Sequence, residues 1–215
     1  MMKRYKDILL SFSMIIFVLL SAVFVTVFIS DFLFKGMIER YHLETITGLS
    51  YDQLVEEYAH LKNYLWLFNR KALELSYFPM STYGQIHFED VKGLVDGLQI
   101  IWVLSGVLSL GIGMRFIRTR RYDFLKMTAA GSVVLPLTIG ALASLNFSQA
   151  FIIFHEFVFS NDYWIFDIHL DPVILMLPEA FFMKCFFVIC GIIVLLSMLC
   201  LYVYHLCGKK ELALS

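Results

Sequence analysis

Long apolar runs decide the fold of this chain, and the first of them, residues 8–32, reads ILLSFSMIIFVLLSAVFVTVFISDF. A helix needs about 20 apolar residues to cross the roughly 30 Å hydrocarbon core of a membrane. Three more runs reach that length, at residues 91–116, 124–145 and 181–206. A backbone inside the bilayer has to satisfy its own hydrogen bonds, and a helix does so without water. The sequence therefore predicts an all-α membrane protein with four transmembrane helices.

The overall composition supports this class and excludes a soluble domain. Of the 215 residues, 60% are hydrophobic and 16% are charged, and the mean hydropathy is +0.76. Soluble domains carry about 25% charged residues. A signal peptide would also begin with basic residues, but the first run is about twice as long as a signal-peptide core and has no small-residue cleavage site. We expect residues 1–215 to form a single membrane domain that retains this run.

Basic residues predict the orientation in the membrane. They precede the first run, crowd the short link between the second and third runs, and follow the fourth: Lys3, Arg4, Lys6, Arg115, Arg118, Arg120, Arg121, Lys126, Lys209 and Lys210. Basic residues near span ends stay on the cytoplasmic side. We therefore expect a multi-pass protein of the cell membrane with both termini in the cytoplasm. Residues 33–90 and 146–180 then face outward and form a small extracellular cap.

Each part of the predicted cap has its own pattern. In the first, Ser50 and Gln53 predict a capping box, and apolar residues then recur at steps of four and three, which predicts one helix face: Leu54, Tyr58, Leu61, Leu65 and Phe68. The second part is dense in aromatic residues. Some belong to an interfacial belt, but their concentration in one loop also predicts the wall of a lipid-sized cavity. The residues we expect to bind substrate there are Phe151, Phe154, Phe157, Tyr163 and Trp164.

Two histidines flank the spans on this outer side. His87 lies in the string GQIHFEDVK, residues 84–92, and His155 lies in FIIFHEFVF, residues 151–159. An imidazole gains or loses a proton near neutral pH, so the two are candidates for catalytic proton transfer. Nearby charged residues are candidates for orienting the rings: Glu89, Asp90, Glu156, Lys92 and Asp96. Lys92 and Asp96 are spaced to pair along one helix face.

The cysteines point away from metal and redox chemistry. Cys185, Cys190, Cys200 and Cys207 all lie in or beside the fourth run, and their spacing matches no zinc signature. The chain also lacks a His-Glu-x-x-His motif. We therefore expect no metal and no other cofactor.

Several short strings together resemble the bacterial lipoprotein intramolecular transacylases. They are HFEDVK at 87–92, Phe154–His155, FSNDYW at 159–164, Asp171–Pro172 and LPEAFF at 177–182, with YDQL at 51–54 before them. With these strings in this order in a four-span chain, the resemblance covers nearly the whole sequence. One departure is Ile168, where the family pattern has a proline.

The resemblance implies an enzyme and a substrate. Such an enzyme moves an acyl chain from the glyceryl sn-2 ester to the α-amino group of the N-terminal diacylglyceryl-cysteine, which gives a lyso-form lipoprotein. Its partners are the lipid-modified lipoprotein N-terminus and membrane lipids, and no nucleic acid is expected. His87 and His155 match the family's catalytic pair.

The residues agree with that chemistry but leave its details open. An α-ammonium of pKa about 7.7 to 8.0 has to lose a proton before it attacks, and the glyceryl oxygen has to gain one as it leaves. One histidine would be the base and the other the acid, in either order, and a covalent acyl-imidazole route is a further option. Two alternatives remain: a non-enzymatic membrane module that binds a lipid or partner, and a metal-dependent membrane hydrolase using both histidines with Glu89 or Asp90.

Overall fold

The computed structural model describes residues 2–66 and 69–212, apart from the side chains of residues 2–4, 135 and 209–212. Every regular element in the described residues is a helix, so the all-α prediction is confirmed. In chain order the helices are α1 (Met2–Arg40), α2 (Leu43–Thr47), α3 (Tyr51–Tyr64), α4 (Thr82–Arg118), α5 (Asp123–Leu145), α6 (Phe147–Val158), α7 (Val173–Met176) and α8 (Glu179–Leu212).

Four of these helices, α1, α4, α5 and α8, are long and apolar enough to cross a membrane. They contain the predicted spans at 8–32, 91–116, 124–145 and 181–206, and the prediction of four membrane helices is confirmed. Three of them are longer than their apolar runs: α1 has 39 residues, α4 has 37 and α8 has 34. At 1.5 Å per residue, 37 residues span about 55 Å, well over the 30 Å core. The helices therefore continue past the apolar runs that predict them.

The chain divides into two compact units, and each long helix contributes to both. The first unit holds the residues up to Val25, Gln99–Leu142 and the chain from Phe187 on. Its helices meet through small and aromatic side chains. The Ser13 and Ser109 hydroxyls are 3.2 Å apart, and the Trp102 indole donates to the Ser21 hydroxyl at 2.9 Å. Near the chain reversal between α4 and α5, Arg121 pairs with Asp7 at 2.7 Å.

The second unit holds Thr26–Leu98 and Ala143–Phe186. Within it, α3 packs on α1 and α8 through three rings. Phe34 and Tyr58 stack at 4.2 Å, and both meet the edge of Phe181 at 5.9 and 5.6 Å. Lys62 on α3 also pairs with Asp31 on α1. These contacts attach the predicted cap helix to the two membrane helices.

The prediction for α3 is confirmed at its start and along its apolar face. Ser50 and Gln53 form both hydrogen bonds of a capping box. Leu54, Tyr58 and Leu61 are buried. Leu65 follows the end of the helix, and Phe68 lies outside the described residues.

One residue of α3 departs from the pattern. Glu57 lies outside the predicted apolar face, yet its side chain is fully buried and accepts a hydrogen bond from the backbone N–H of Tyr77. A loop folded back over the helix covers a face that would otherwise meet water.

Candidate active site

His87 lies on the second turn of α4, and a buried aspartate holds the first turn. The Asp171 carboxylate accepts hydrogen bonds from the backbone N–H and the hydroxyl of Ser81, each at 2.7 Å. The Ser81 hydroxyl in turn accepts from the Gly84 N–H at 3.0 Å, which caps the start of the helix. A Cβ at position 84 would overlap the Asp171 carboxylate. We call Asp171, Ser81 and Gly84 the Asp171 clasp.

His155 lies in the last turn of α6. The Asn146 side chain caps the start of this helix by accepting from the Gln149 N–H at 3.1 Å. Its end is marked by the Phe159 N–H, which donates to the carbonyl of His155 at 2.8 Å. At 12 residues, or about 18 Å, α6 is too short to cross a bilayer. The element is therefore a short apolar helix that carries one histidine.

The two histidines, which we call the histidine pair, meet within the second unit. Their ring centroids are 6.1 Å apart with an angle of 38° between the planes. Phe159 contacts both, at 4.9 Å from His87 and 5.7 Å from His155. The His87 side chain is buried at 7% exposure, and His155 is partly buried. The structure thus brings together two residues separated by 68 positions in an environment of low polarity.

A backbone carbonyl orients His155. Its Nδ1 lies 2.7 Å from the carbonyl oxygen of Phe151. A carbonyl oxygen can only accept a hydrogen bond, so Nδ1 carries the proton and Nε2 of the neutral ring keeps its lone pair. Burial lowers the pKa of His155 below its usual value, and the bond to the Phe151 carbonyl opposes that shift in part. The neutral ring with a free Nε2 is therefore favoured.

His87 has a different environment. Phe159 and Phe166 meet its ring edge-on, at 4.9 and 5.4 Å. Its Nδ1 is buried and has no hydrogen-bond partner among the described residues. Burial and the neighbouring His155 ring lower the pKa of His87, and Asp90, one turn further along α4, opposes that shift in part. Within the described residues, aromatic packing positions this ring.

None of the predicted orienting carboxylates hydrogen-bonds a histidine ring within the described residues. Glu89 accepts from the Gln85 side chain at 3.4 Å, and Asp90 accepts from the Asn161 amide at 3.0 Å. Glu156 is exposed beside His155. The bond from Asn161 has a separate use, because it ties the loop after α6 to α4 one turn past His87.

Lys92 and Asp96 form the expected ion pair along α4. Lys92 is also buried and donates to the backbone carbonyl of Trp66 at 2.9 Å. The lysine thus joins α4 to the residue just past the end of α3. Its contacts fit a structural part in holding the second unit together.

The predicted aromatic residues separate into three groups. Phe151, Phe154 and Trp164 contact the His155 ring, with centroids 4.2, 5.4 and 4.9 Å away. Tyr163 instead stacks on Tyr83 at the start of α4, at 4.6 Å. Phe157 is 89% exposed and makes no ring contact with either histidine in the described part of the chain. Three of the five therefore lie against His155.

Several residues that build this site are not among those predicted from the sequence. Phe159 and Phe166 pack on His87, and the Asp171 clasp joins residues that are 90 positions apart. Phe159 and Asp171 do belong to the strings that resemble the transacylases, so a signal for them existed. For Phe166 and Ser81 we see no such signal.

The described residues offer no group of three or more His, Cys, Asp and Glu side chains placed to hold a metal ion. The four cysteines are free thiols on α8.

Fold and site together define a polytopic all-helical membrane protein with a paired-histidine site. The family model described as lipoprotein intramolecular transacylase Lit matches residues 8–182. The chain belongs to this family. The match confirms the predicted activity of a lipoprotein intramolecular transacylase.

Solved structures support the assignment. A structure of the membrane-integral lipoprotein intramolecular transacylase Lit from Bacillus cereus is 30% identical, with a TM-score of 0.94, and the match covers 98% of this chain and 97% of that one. Two further structures of the B. cereus protein carry a histidine-to-arginine or a histidine-to-alanine mutation. Both are 28% identical, with TM-scores of 0.85 and 0.83; the matches cover 100% and 98% of this chain and 97% of each of those. The comparison with curated proteins finds no match.

Proposed function

We propose that this chain moves an acyl chain from the sn-2 oxygen of a lipoprotein's diacylglyceryl-cysteine to the α-amino group of the same cysteine. The product is a lyso-form lipoprotein. The histidine pair carries this proposal, because two imidazoles 6.1 Å apart in an aromatic environment suit the two proton transfers of an ester aminolysis. The family match supports the substrate class and the intramolecular course of the reaction.

His155 is the general base in this proposal. Its Nδ1 proton is engaged by the Phe151 carbonyl, so Nε2 is the atom that takes a proton from the attacking amine. The same hydrogen bond stabilises the imidazolium that forms. Burial keeps the resting ring neutral and ready to accept that proton.

His87 carries the second proton. The substrate amine arrives as an ammonium group and releases one proton to solvent. Its nitrogen then attacks the ester carbonyl carbon and loses a second proton to His155. As the bond from the acyl carbon to the glyceryl oxygen breaks, His155 passes its proton to His87, which delivers it to that oxygen. The products are an amide, a glyceryl hydroxyl and one free proton, so atoms and charge balance.

The aromatic side chains hold the substrate in place and transfer no protons. Phe151, Phe154 and Phe159 border the pair and offer apolar surface to acyl chains. Holding the ester and the amine of one molecule in attack geometry contributes an effective molarity of about 10⁵ M or more in favourable cases. Direct aminolysis uses this advantage in a single acyl transfer. An acyl-imidazole intermediate would need two, and it would appear as an acylated protein in a mass spectrum of the working enzyme.

We also propose that the site works at the outer face of the cell membrane, with both termini in the cytoplasm. The distribution of basic residues supports this orientation. A cysteine introduced at Gln85 or Asp162 should then react with an impermeant thiol reagent in intact cells, whereas one at Arg120 should not. The opposite labelling pattern would put the site on the wrong side for a lipoprotein amine.

The proposal is tested by replacing each histidine with alanine. Each imidazole is expected to contribute roughly 10²- to 10⁴-fold to the rate, so His87→Ala and His155→Ala should each lower kcat by that factor without changing the thermal unfolding temperature greatly. His205→Ala, an exposed histidine of the first unit, is the control and should leave kcat unchanged. Near wild-type turnover by either variant of the pair would contradict the mechanism.

A further inference from the structure

Trp164 lies in the loop between α6 and α7, against the ring that we propose as the base. Its ring centroid is 4.9 Å from that of His155, with 31° between the planes. Its indole nitrogen Nε1 is buried and has no hydrogen-bond acceptor among the described residues. An indole N–H can only donate. The site therefore contains a fixed donor that no described residue uses.

Such a group is uncommon. The large majority of buried polar side-chain atoms have at least one hydrogen-bond partner, so an exception calls for an explanation. Trp102 in the first unit shows the usual arrangement, because its indole N–H donates to the Ser21 hydroxyl. For Trp164 the missing acceptor is explained if the substrate provides it.

The reaction creates one acceptor that needs a donor. When the amine attacks the ester, an electron pair of the carbonyl double bond moves onto the oxygen, and the negative charge remains there until the glyceryl oxygen leaves. Donors already in place for this oxyanion are among the strongest contributions to acyl transfer. Within the described residues, five rings contact His155, those of His87, Phe151, Phe154, Phe159 and Trp164. Only His87 and Trp164 of these carry polar atoms, and His87 already transfers a proton.

We propose that the Trp164 indole N–H donates a hydrogen bond to the ester carbonyl oxygen and stabilises the oxyanion. This inference rests on the proposed function. The indole keeps its proton throughout, and the carbon–oxygen double bond re-forms when the glyceryl oxygen departs. Because no described residue accepts from this N–H, the new bond replaces none of those seen here, and it forms once the surrounding rings move apart to admit the ester.

The loop around Trp164 is attached to α4 in a way that suits this role. The Tyr163 N–H donates to the Asn161 side chain at 3.1 Å, and the Asn161 amide donates to Asp90 at 3.0 Å. Tyr163 also stacks on Tyr83, in the first turn of α4. The residue just before Trp164 is thus tied to the helix that carries His87. These ties hold the donor at a set position relative to the histidine pair.

The test replaces the indole N–H without changing the shape of the ring. Benzothienylalanine, which has sulfur in place of the N–H, is inserted at position 164 of the full chain by codon suppression. Trp164→Phe is a second variant, made with a natural residue. Turnover of a diacylated lipopeptide should fall about 10²-fold in kcat, with KM within about twofold. The same isostere at Trp102 is the matched control and should leave kcat unchanged.

A substrate with sulfur in place of the sn-2 carbonyl oxygen separates donation from packing, because sulfur accepts hydrogen bonds poorly. Wild type should prefer the oxygen substrate much more strongly than either variant does. A preference unchanged in both folded variants, or a kcat within about threefold of wild type, overturns the proposal. Failure of the proposed function would look different, since His87→Ala and His155→Ala would then stay active whatever happens at Trp164.

Discussion

The two units of the chain differ in how a buried tryptophan N–H is hydrogen-bonded. In the first unit the Trp102 indole is hydrogen-bonded to Ser21, and its ring packs against Phe17 and Phe24 at 6.4 and 5.1 Å. In the second unit the Trp164 indole touches His155 and has no acceptor among the described residues. The Trp102 N–H is therefore paired at a helix–helix contact, whereas the Trp164 N–H has no described acceptor beside the histidine pair.

The contrast extends to other polar groups. Thr128 and Ser132 in the first unit each donate to a carbonyl four residues earlier, which satisfies a hydroxyl inside an apolar helix. Ser197 is an exception, with no partner for its hydroxyl in the described residues. In the second unit the unpaired atoms include Nδ1 of His87, inside the histidine pair. Unpaired polar atoms thus occur in both units, and those of the second unit include two at the histidine pair, Nδ1 of His87 and Nε1 of Trp164.

The largest effect in this comparison is expected from breaking the Asp171 clasp. Asp171→Ala removes the acceptor for the backbone and side chain of Ser81 and frees the first turn of α4 from the loop that carries Trp164. A displacement of about 1 Å at a catalytic group can cost up to about 10²-fold, so we expect kcat to fall 10- to 10²-fold. The loss of stability should be about 1 to 3 kcal/mol, measured by thermal unfolding in detergent.

A substitution in the first unit provides the control. A Cβ at Gly106 would lie 2.8 Å from the Phe17 ring, so Gly106→Ala overpacks a helix contact. We expect a similar loss of stability, about 1 to 3 kcal/mol, with kcat per folded molecule unchanged. If Gly106→Ala lowered kcat as much as Asp171→Ala, the separation between a packing unit and a reacting unit would not hold.

The sequence predicts the parts of the molecule that depend on composition along one helix. The apolar runs account for α1, α4, α5 and α8, because burial in lipid is a local requirement, and the Ser50 capping box is local as well. The resemblance to the transacylases identifies the family and singles out His87 and His155. Long-range contacts are different in kind. Nothing in the spacing of Ser81 and Asp171 shows that they bond, and no pattern shows that a backbone carbonyl orients His155.

A smaller effect is expected on the pKa of His155. Burial lowers this pKa, so the ring stays neutral and able to act as a base to a lower pH than an exposed histidine would. Phe151→Ala removes the ring at 4.2 Å but keeps the backbone carbonyl bonded to Nδ1. The pKa should therefore rise toward the usual 6.5 or so, and the ring should become protonated at a higher pH. Nuclear magnetic resonance titration of the labelled ring measures this directly. An unchanged or lower pKa would show that burial by Phe151 is not the cause.

The central claim is that this chain moves an acyl chain within one molecule, and tandem mass spectrometry tests it most directly. Purified protein is placed in vesicles of isotopically labelled phospholipid with an unlabelled diacylated lipopeptide. We expect a product of unchanged mass that carries one acyl chain as an amide on its cysteine and contains no label, while a peptide with a blocked α-amine stays unconverted. Phospholipid label in the N-acyl product, or conversion of the blocked peptide, would contradict the account.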